Sequence, residues 1–256
     1  MARRLRSAAK EERKHLYTAL YDELYRRVPL HPQLTQKADA QSRLQAVSTQ
    51  MRLLGRYLHP DSIFLEIGAG DCSLSREVSR RVRKAYAVDV SEEITKGESF
   101  PQNFELIISD GSSIPVPRGS ATLAYSRRLM EHLHPDDAVD QLKNVYVALA
   151  EGGKYICITP NSLSGPYDIS RYFDEVATGF HLKEYTFTEL DELFRKVGFS
   201  RIDAYAGGQG TYVRIPPSVI LRCERILRRL PPSLRRTIAS TLPLRALLGI
   251  TMVGTK

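Results

Sequence analysis

The 256-residue sequence has no tryptophan and three cysteines, Cys72, Cys157 and Cys223. Cysteines so few, odd in number and far apart exclude a disulfide framework and a zinc-knuckle spacing, and they fit a reducing compartment. No apolar run approaches the roughly 18 residues of a membrane span. The basic opening, MARRLRSAAKEERK, leads into no apolar stretch, so no secretory leader is expected and the protein reads as cytoplasmic. Internal repeats and low-complexity tracts are also missing. With 42% hydrophobic and 26% charged residues, disordered and fibrous classes are excluded. The length suits one domain with appendages, or at most two.

Charge is present but unevenly placed. Residues 1–60 carry 12 Lys/Arg against 5 Asp/Glu, residues 61–200 carry 15 against 22, and residues 201–256 carry 10 against 2. An acidic middle between basic ends is not the profile of a uniformly basic nucleic-acid binder.

Periodicity gives the elements. Leu16, Leu20, Leu24 and Val28, with Tyr17, Tyr21 and Tyr25 beside them, predict a helix over 10–28 that the Pro29 and Pro32 breaks close. A second helix is expected from about Ser42 to Leu58. Ile63 to Ile67 then reads as a strand running into the tight turn Gly68-Ala69-Gly70. Further strands are expected at 85–90, 104–109, 121–126, 155–159, 199–206 and 250–255. Helices fall between them at 136–150, ended by Gly152-Gly153, and at 187–197, with Thr186 as N-cap and Glu189 completing a capping box. Alternating strands and helices predict an α/β, doubly wound parallel sheet. Residues 1–60 are expected to form a helical cap or lid, and 61–256 the main domain.

Such sheets bind ligands beyond the carboxyl ends of their strands. Here the first strand ends in Glu66-Ile67-Gly68-Ala69-Gly70-Asp71-Cys72, the second in Asp89-Val90 and the third in Asp110-Gly111. Glycine lets the backbone turn tightly and lets a ligand approach it. Asp89 can accept hydrogen bonds from a ribose, and Asp110 can meet an adenine amino group. A NAD fingerprint would need a glycine where Ser73 stands. Asp71 also opposes a pyrophosphate, whereas S-adenosylmethionine carries a sulfonium and an ammonium that acidic walls favour.

This ordered series, with Glu131-His132-Leu133, Leu149 through Gly153 and Thr188 through Phe199, resembles the class I S-adenosylmethionine-dependent methyltransferase family, most closely its small-molecule, ubiquinone-biosynthesis-type branch. The resemblance spans about Ser62 to Phe199. It implies a Rossmann-like, seven-stranded sheet whose last strand, 250–255, is antiparallel. It also implies that Glu66, Gly68, Ala69 and Gly70 line the methionine end, Asp89 and Val90 the ribose, and Asp110 and Gly111 the adenine, with Arg127 after the fourth strand beside them. S-adenosyl-L-methionine would be the cofactor and S-adenosyl-L-homocysteine the product. The third glycine common in such turns is Cys72 here.

Methyl transfer from a sulfonium needs mainly positioning, and a hydroxyl acceptor additionally needs its proton removed. His132 is the expected base, Glu131 its partner, and His181 a second candidate. The string His132-Leu133-His134-Pro135-Asp136-Asp137 approaches a metallohydrolase pattern. Only His181 lies downstream to complete such a site, so no metal is expected and His134-Pro135 reads as a helix start. An insertion at 214–250 carries Pro216-Pro217 and Pro231-Pro232, each expected to start a basic amphipathic helix. Its first apolar face would hold Val219, Ile220, Cys223, Ile226, Leu227 and Leu230. With the basic N-terminus it suggests peripheral contact with an anionic membrane or a lipid-linked acceptor. The expected function is methylation of a small-molecule, sugar or glycolipid acceptor at a hydroxyl. The alternatives are an RNA-modifying methyltransferase or a non-catalytic module binding an adenosyl ligand or an anionic surface. No Asn-Pro-Pro-Tyr or Asp-Pro-Pro-Tyr follows the fourth strand, and 214–250 has no aromatic residue to stack on RNA bases.

Overall fold

The computed structural model describes residues 2–256. Four helices precede the sheet: α1 (Ala2–Ser7), α2 (Lys10–Arg27), α3 (Pro32–Ala38) and α4 (Ala40–Leu54). Alternation follows through β1 (Ile63–Ile67), α5 (Ser73–Ser79), β2 (Lys84–Asp89), β3 (Phe104–Ile108), β4 (Ala121–Arg127), α6 (Pro135–Ala148), β5 (Leu149–Thr159), α7 (Phe187–Val197) and β6 (Arg201–Gly208). The chain ends with β7 (Thr211–Ile215), α8 (Pro217–Leu227), α9 (Pro232–Ala239), α10 (Leu242–Leu248) and β8 (Ile250–Thr255).

The strands form one sheet in the order β3-β2-β1-β4-β5-β8-β6-β7. The pairs from β3 to β5 are parallel, and β8 lies antiparallel between β5 and β6. Period-two alternation sorts the strand side chains into two cores. Leu65, Ala124, Tyr155 and Cys157 face the cluster packed with α2, α6 and α7, while Phe64, Leu123, Tyr125 and Ile156 face α4 and α5. Helices thus cover both faces, which is why these parallel strands read as continuous apolar runs.

The sheet has eight strands, one more than the seven expected. The addition is β7, which pairs antiparallel with β6 from Gly208↔Thr211 to Ala204↔Ile215. Gln209 and Gly210 make the turn with φ of +51° and +90°, matching the twist of a tight hairpin. The insertion therefore begins after this strand rather than at 214. Gly152-Gly153 also departs from expectation. The helix stops at Ala148, and the glycines lie inside β5, where the register against β4 shifts.

The helices of the insertion start as the proline pairs predict, with Pro217 and Pro232 opening α8 and α9. Their burial differs. Ile220, Glu224 and Leu227 face inward, whereas Val219 and Ile226 are exposed. A carboxylate has taken the inner line because it has donors to meet. Glu224 accepts from the backbone N–H groups of Phe187 (2.7 Å) and Thr188 (2.9 Å), from the Thr188 hydroxyl (2.5 Å) and from the Asn161 amide (2.7 Å). It places negative charge on the N-terminus of α7, where the helix dipole and orphan N–H groups favour it. Thr186 and Glu189 form the expected capping box on the same turn, and Arg228 donates to Thr186 Oγ1 at 2.7 Å.

Glu224→Ala should therefore lower the unfolding free energy by about 3 kcal/mol, since charged, buried hydrogen bonds are lost and their donors orphaned. Glu224→Gln should lose less. Urea unfolding curves that superimpose on the parent's would show that this carboxylate does not hold the insertion to the sheet.

Candidate active site

The glycine turn after β1 is built from the backbone outward. Gly68 and Gly70 have φ of +72° and +56°, and Cys72 follows at +57°. Cys72 thus adopts the left-handed conformation that glycine takes more easily. Its side chain is buried, and α5 starts directly after it. Asp71 supplies what Cys72 cannot, accepting from Ser73 N (3.0 Å) and Ser73 Oγ (2.7 Å).

Asp89 closes the turn from the next strand. It accepts from Gly70 N (2.7 Å), Val90 N (2.7 Å) and Ser91 N (3.2 Å). Burial pushes its pKa up, and these three N–H groups pull the other way. Most of the carboxylate's acceptor capacity is spent on the protein's own backbone. Asp110 is organised similarly, by Ser112 N at 2.9 Å and Ser113 N at 2.7 Å. Burial would raise its pKa, but the donors from Ser113 and Ser112 hold it below the ordinary value. Glu66 is buried at the base of the turn, where the Ser75 hydroxyl donates to it. Burial, helped by the charges of Asp71 and Asp89, lifts its pKa to about 8.

The N-terminal helices cover these strand ends. Tyr17 of α2 packs on Gly111 so closely that a Cβ there would meet its ring at 2.7 Å. Asp22 accepts from Ser91 Oγ at 2.5 Å. A cavity of about 120 Å³ remains, lined by Glu66, Gly68, Gly70, Asp71 and Arg127 from the sheet and by Gln33, Arg43 and Gln50 from the cap. The cap therefore sits over the glycine turn and reaches Ser91 and Gly111 beyond the second and third strands.

The second half of the site follows β4. Glu131, His132 and His181 come together, with one ligand-type atom from each within 4.8 Å of the others. Glu131 is buried; its Oε2 accepts from Thr159 Oγ1 at 2.8 Å and its Oε1 has no partner. Burial raises its pKa. His132 Nδ1 lies 3.3 Å from the carbonyl of Phe180. A carbonyl only accepts, so Nδ1 carries the proton and Nε2 keeps its lone pair. His181 Nδ1 meets Glu184 Oε1 at 2.6 Å, and the two imidazoles stand edge to face at 4.9 Å. Burial, followed by the neighbouring His181, lowers the pKa of His132 to about 4.

A profile of the methyltransferase domain matches residues 38–204. The chain belongs to the class I S-adenosylmethionine-dependent methyltransferase family. The methyl donor of this enzyme is accordingly S-adenosylmethionine. No curated protein matches this methyltransferase in sequence. Solved structures match it in fold. The Haloferax volcanii complex of the Trm112 methyltransferase activator with a putative methyltransferase gives a TM-score of 0.62 at 13% identity, covering 91% of this chain and 96% of that one. Phosphoethanolamine N-methyltransferase 1 of Haemonchus contortus gives 0.58 at 15% identity, over 97% of this chain and 50% of that one. The 1,6-didemethyltoxoflavin-N1-methyltransferase of Burkholderia thailandensis gives 0.56 at 16% identity, over 97% and 91%.

Within the methyltransferase, the metal-like string is dispersed. His134 caps α6, its Nδ1 accepting from Asp136 N at 3.3 Å. Asp137 turns inward to Arg13 and Tyr17. Among the described residues the three groups that do converge are Glu131, His132 and His181, and the Glu131 carboxylate already feels the charge of Arg128. Sequence reasoning missed Gln33, Arg43 and Gln50 of the cap, and Thr159, Glu184 and Asp168 behind the histidines. Asp168 accepts from His181 N at 3.0 Å. Polar residues on a helix carry no signal of which turn they will cover.

Asp89→Ala should destabilise the folded enzyme by about 1–3 kcal/mol, because it leaves the N–H groups of Gly70, Val90 and Ser91 without their acceptor. Thermal unfolding of the cofactor-free protein checks this. An unchanged midpoint would mean that water replaces the carboxylate at no cost.

Proposed function

We propose that this methyltransferase methylates a hydroxyl of a small-molecule or sugar acceptor, with His132 as general base. The observation that carries the reading is the contact of His132 Nδ1 with the Phe180 carbonyl, which favours a proton on Nδ1. Its Nδ1 faces Phe180 O, which leaves Nε2 as the basic nitrogen, on a side chain that clusters with Glu131 and His181. The unpartnered Oε1 of Glu131 offers a second acceptor for the hydroxyl hydrogen or for an ammonium. His181, backed by Glu184, packs edge to face on His132 and disfavours its protonated form, which keeps the imidazole neutral and able to accept a proton.

The residues after β1, β2 and β3 fit an adenosyl cation. Bound S-adenosylmethionine supplies an activated methyl on a sulfonium. Glu66, Gly68, Ala69 and Gly70 would hold its amino-acid end. Asp89 and Val90 would hold the ribose, Asp110 and Gly111 the adenine, with Arg127 at the cavity wall. A Cβ on Gly68 would come within 3.1 Å of the Leu129 side chain, so Leu129 and the φ of +72° hold that position to glycine. The cap, α1 to α4, excludes water from this half. In-line positioning supplies most of the rate, and deprotonation of the acceptor about 10²–10⁴ more.

An amine acceptor is the second reading, supported by the N-methyltransferases among the proteins of similar fold. Parallel assays with hydroxyl and amine acceptors of one scaffold, followed by mass spectrometry with methyl-labelled cofactor, separate the two.

Glu66 gives a pH dependence with a definite sign. Its folded pKa of about 8 lies above the ordinary 4.5, so the cofactor-free protein binds more protons than the unfolded chain between those values. Stability falls as pH rises through that window. A ligand ammonium needs the carboxylate, so cofactor binding should release a proton, and affinity should rise from pH 6 to pH 8. Calorimetry in buffers of different ionisation enthalpy measures the proton directly. Zero release, with Glu66→Gln binding as well as the parent, would remove Glu66 from the ammonium site.

His132→Ala should lower turnover about 10²–10⁴-fold with little change in cofactor affinity. Because the imidazole is neutral well below pH 6, the parent rate should show no His132 limb between pH 6 and pH 9. Parent-like turnover in the variant across that range would place the base elsewhere.

A further inference from the structure

We propose that the segment 167–180, between β5 and α7, docks on an anionic lipid bilayer and that the acceptor reaches His132 from that surface as the headgroup of a lipid-borne molecule; the second part rests on the methyl-transfer reading above. The segment exposes Tyr167, Ile169, Tyr172, Phe173, Val176 and Phe180, with Tyr172 at 75% and Phe173 at 68% of full exposure. Soluble surfaces rarely keep so many large apolar side chains together. The display is held, not frayed. Asp168 accepts from Ser170 N (2.9 Å), the Ser170 hydroxyl and His181 N (3.0 Å), and Thr178 N donates to Ser170 Oγ at 3.0 Å.

Charge selects the occupant. Both basic ends of the chain converge on this segment. Arg6 of α1 donates to the carbonyls of Thr178 (2.8 Å), Ala177 (3.1 Å) and His181 (2.7 Å), and Arg236 of α9 donates to Glu175 O at 2.9 Å. Arg3, Arg4 and Arg171 are exposed beside these contacts in sequence. Of the acids in the segment, Asp168 is buried and Asp174 accepts from Thr178 Oγ1 at 2.9 Å, which leaves Glu175 exposed. The helices of the insertion add exposed Val219, Ile226, Leu234 and Leu242 among their arginines. Aromatic and aliphatic side chains framed by arginine are the chemistry of an interfacial anchor on anionic lipid. The inner end of the segment is bonded to the catalytic candidates, through Phe180 O to His132 and through His181 itself. A headgroup held at the bilayer surface is thereby brought to Nε2 without leaving its lipid.

The test is sedimentation of the full chain with sucrose-loaded vesicles of phosphatidylcholine alone or mixed with phosphatidylglycerol, with cofactor affinity measured separately by calorimetry. The expected result is binding to the anionic vesicles that weakens with salt, and at least about a tenfold loss of partition in a Tyr172→Ser/Phe173→Ser double variant whose cofactor affinity is unchanged. These two side chains are exposed, so the variant keeps its fold, and its melting curve checks that. No sedimentation of the parent at low salt would overturn the proposal, as would partition unaffected by the double variant. Self-association of the lipid-free parent that the same variant abolishes would make the face a contact between copies and would overturn it too. Absence of cofactor binding would instead sink the methyl-transfer reading, whatever the vesicles show.

Discussion

A carboxylate removed from water must be met by positive charge and hydrogen-bond donors, and Asp137 is such a group. Arg13 meets it with two parallel bonds, at 2.6 and 2.8 Å, and Tyr17 adds a third at 2.9 Å. Tyr17 in turn accepts from His134 N at 2.8 Å, which ties it to the start of α6. Through these contacts α2 is bound to the sheet domain, Tyr17 reaches Gly111, and the rest of the cap is carried over the glycine turn. Remove this arrangement and the strand ends keep their acids but lose their cover. The site is therefore assembled from two parts of the chain that a buried ion pair joins beside their apolar contacts.

The histidine side of the site rests on a comparable chain of needs. Glu224 reaches across from the insertion to cap α7, and Asn161, which donates to it, also holds Leu248 O at 3.1 Å and accepts from Leu163 N at 3.0 Å. The segment leaving β5 is thus fixed at its start, and Asp168 and Glu184 fix its return. His132 and His181 face one another because the backbone on either side of them is held by other residues. An insertion that looks peripheral in sequence thereby sets the geometry of the candidate base.

The sheet was legible because parallel strands buried on both faces leave dense apolar runs, and the glycine turn was legible because its φ values demand small residues. The left-handed Cys72 shows the limit of that logic. The position keeps the conformation of the expected glycine without the glycine. The hairpin at 207–212 was readable from Gly207-Gly208-Gln209-Gly210, a turn signal that a strand ending at 206 passes over. The faces of α8 were not readable by apolar count, since an inward Glu224 displaces Val219 and Ile226 to the surface. Asp137 looked like part of a histidine-rich string because its partner, Arg13, lies 124 residues away. Polar contacts between distant segments leave no periodic trace, and it is such contacts that join the cap and the histidines to the rest of the site.

The attachment of the cap is mechanically uneven. At Arg13–Asp137 both side chains are only 4% exposed, whereas the far contacts, Arg26–Glu93 at 3.9 Å and Lys37–Glu98 at 3.0 Å, involve side chains that water and salt reach. Surface pairs of that kind contribute at most about 1 kcal/mol and are screened, while a buried, bidentate pair resists both. The cap is therefore held by a buried ion pair beside α6 and by the buried Leu53 and Leu54 of α4, with exposed ion pairs along the β2–β3 connection. Ionic strength therefore weakens the attachment along the β2–β3 connection before it touches the one beside α6.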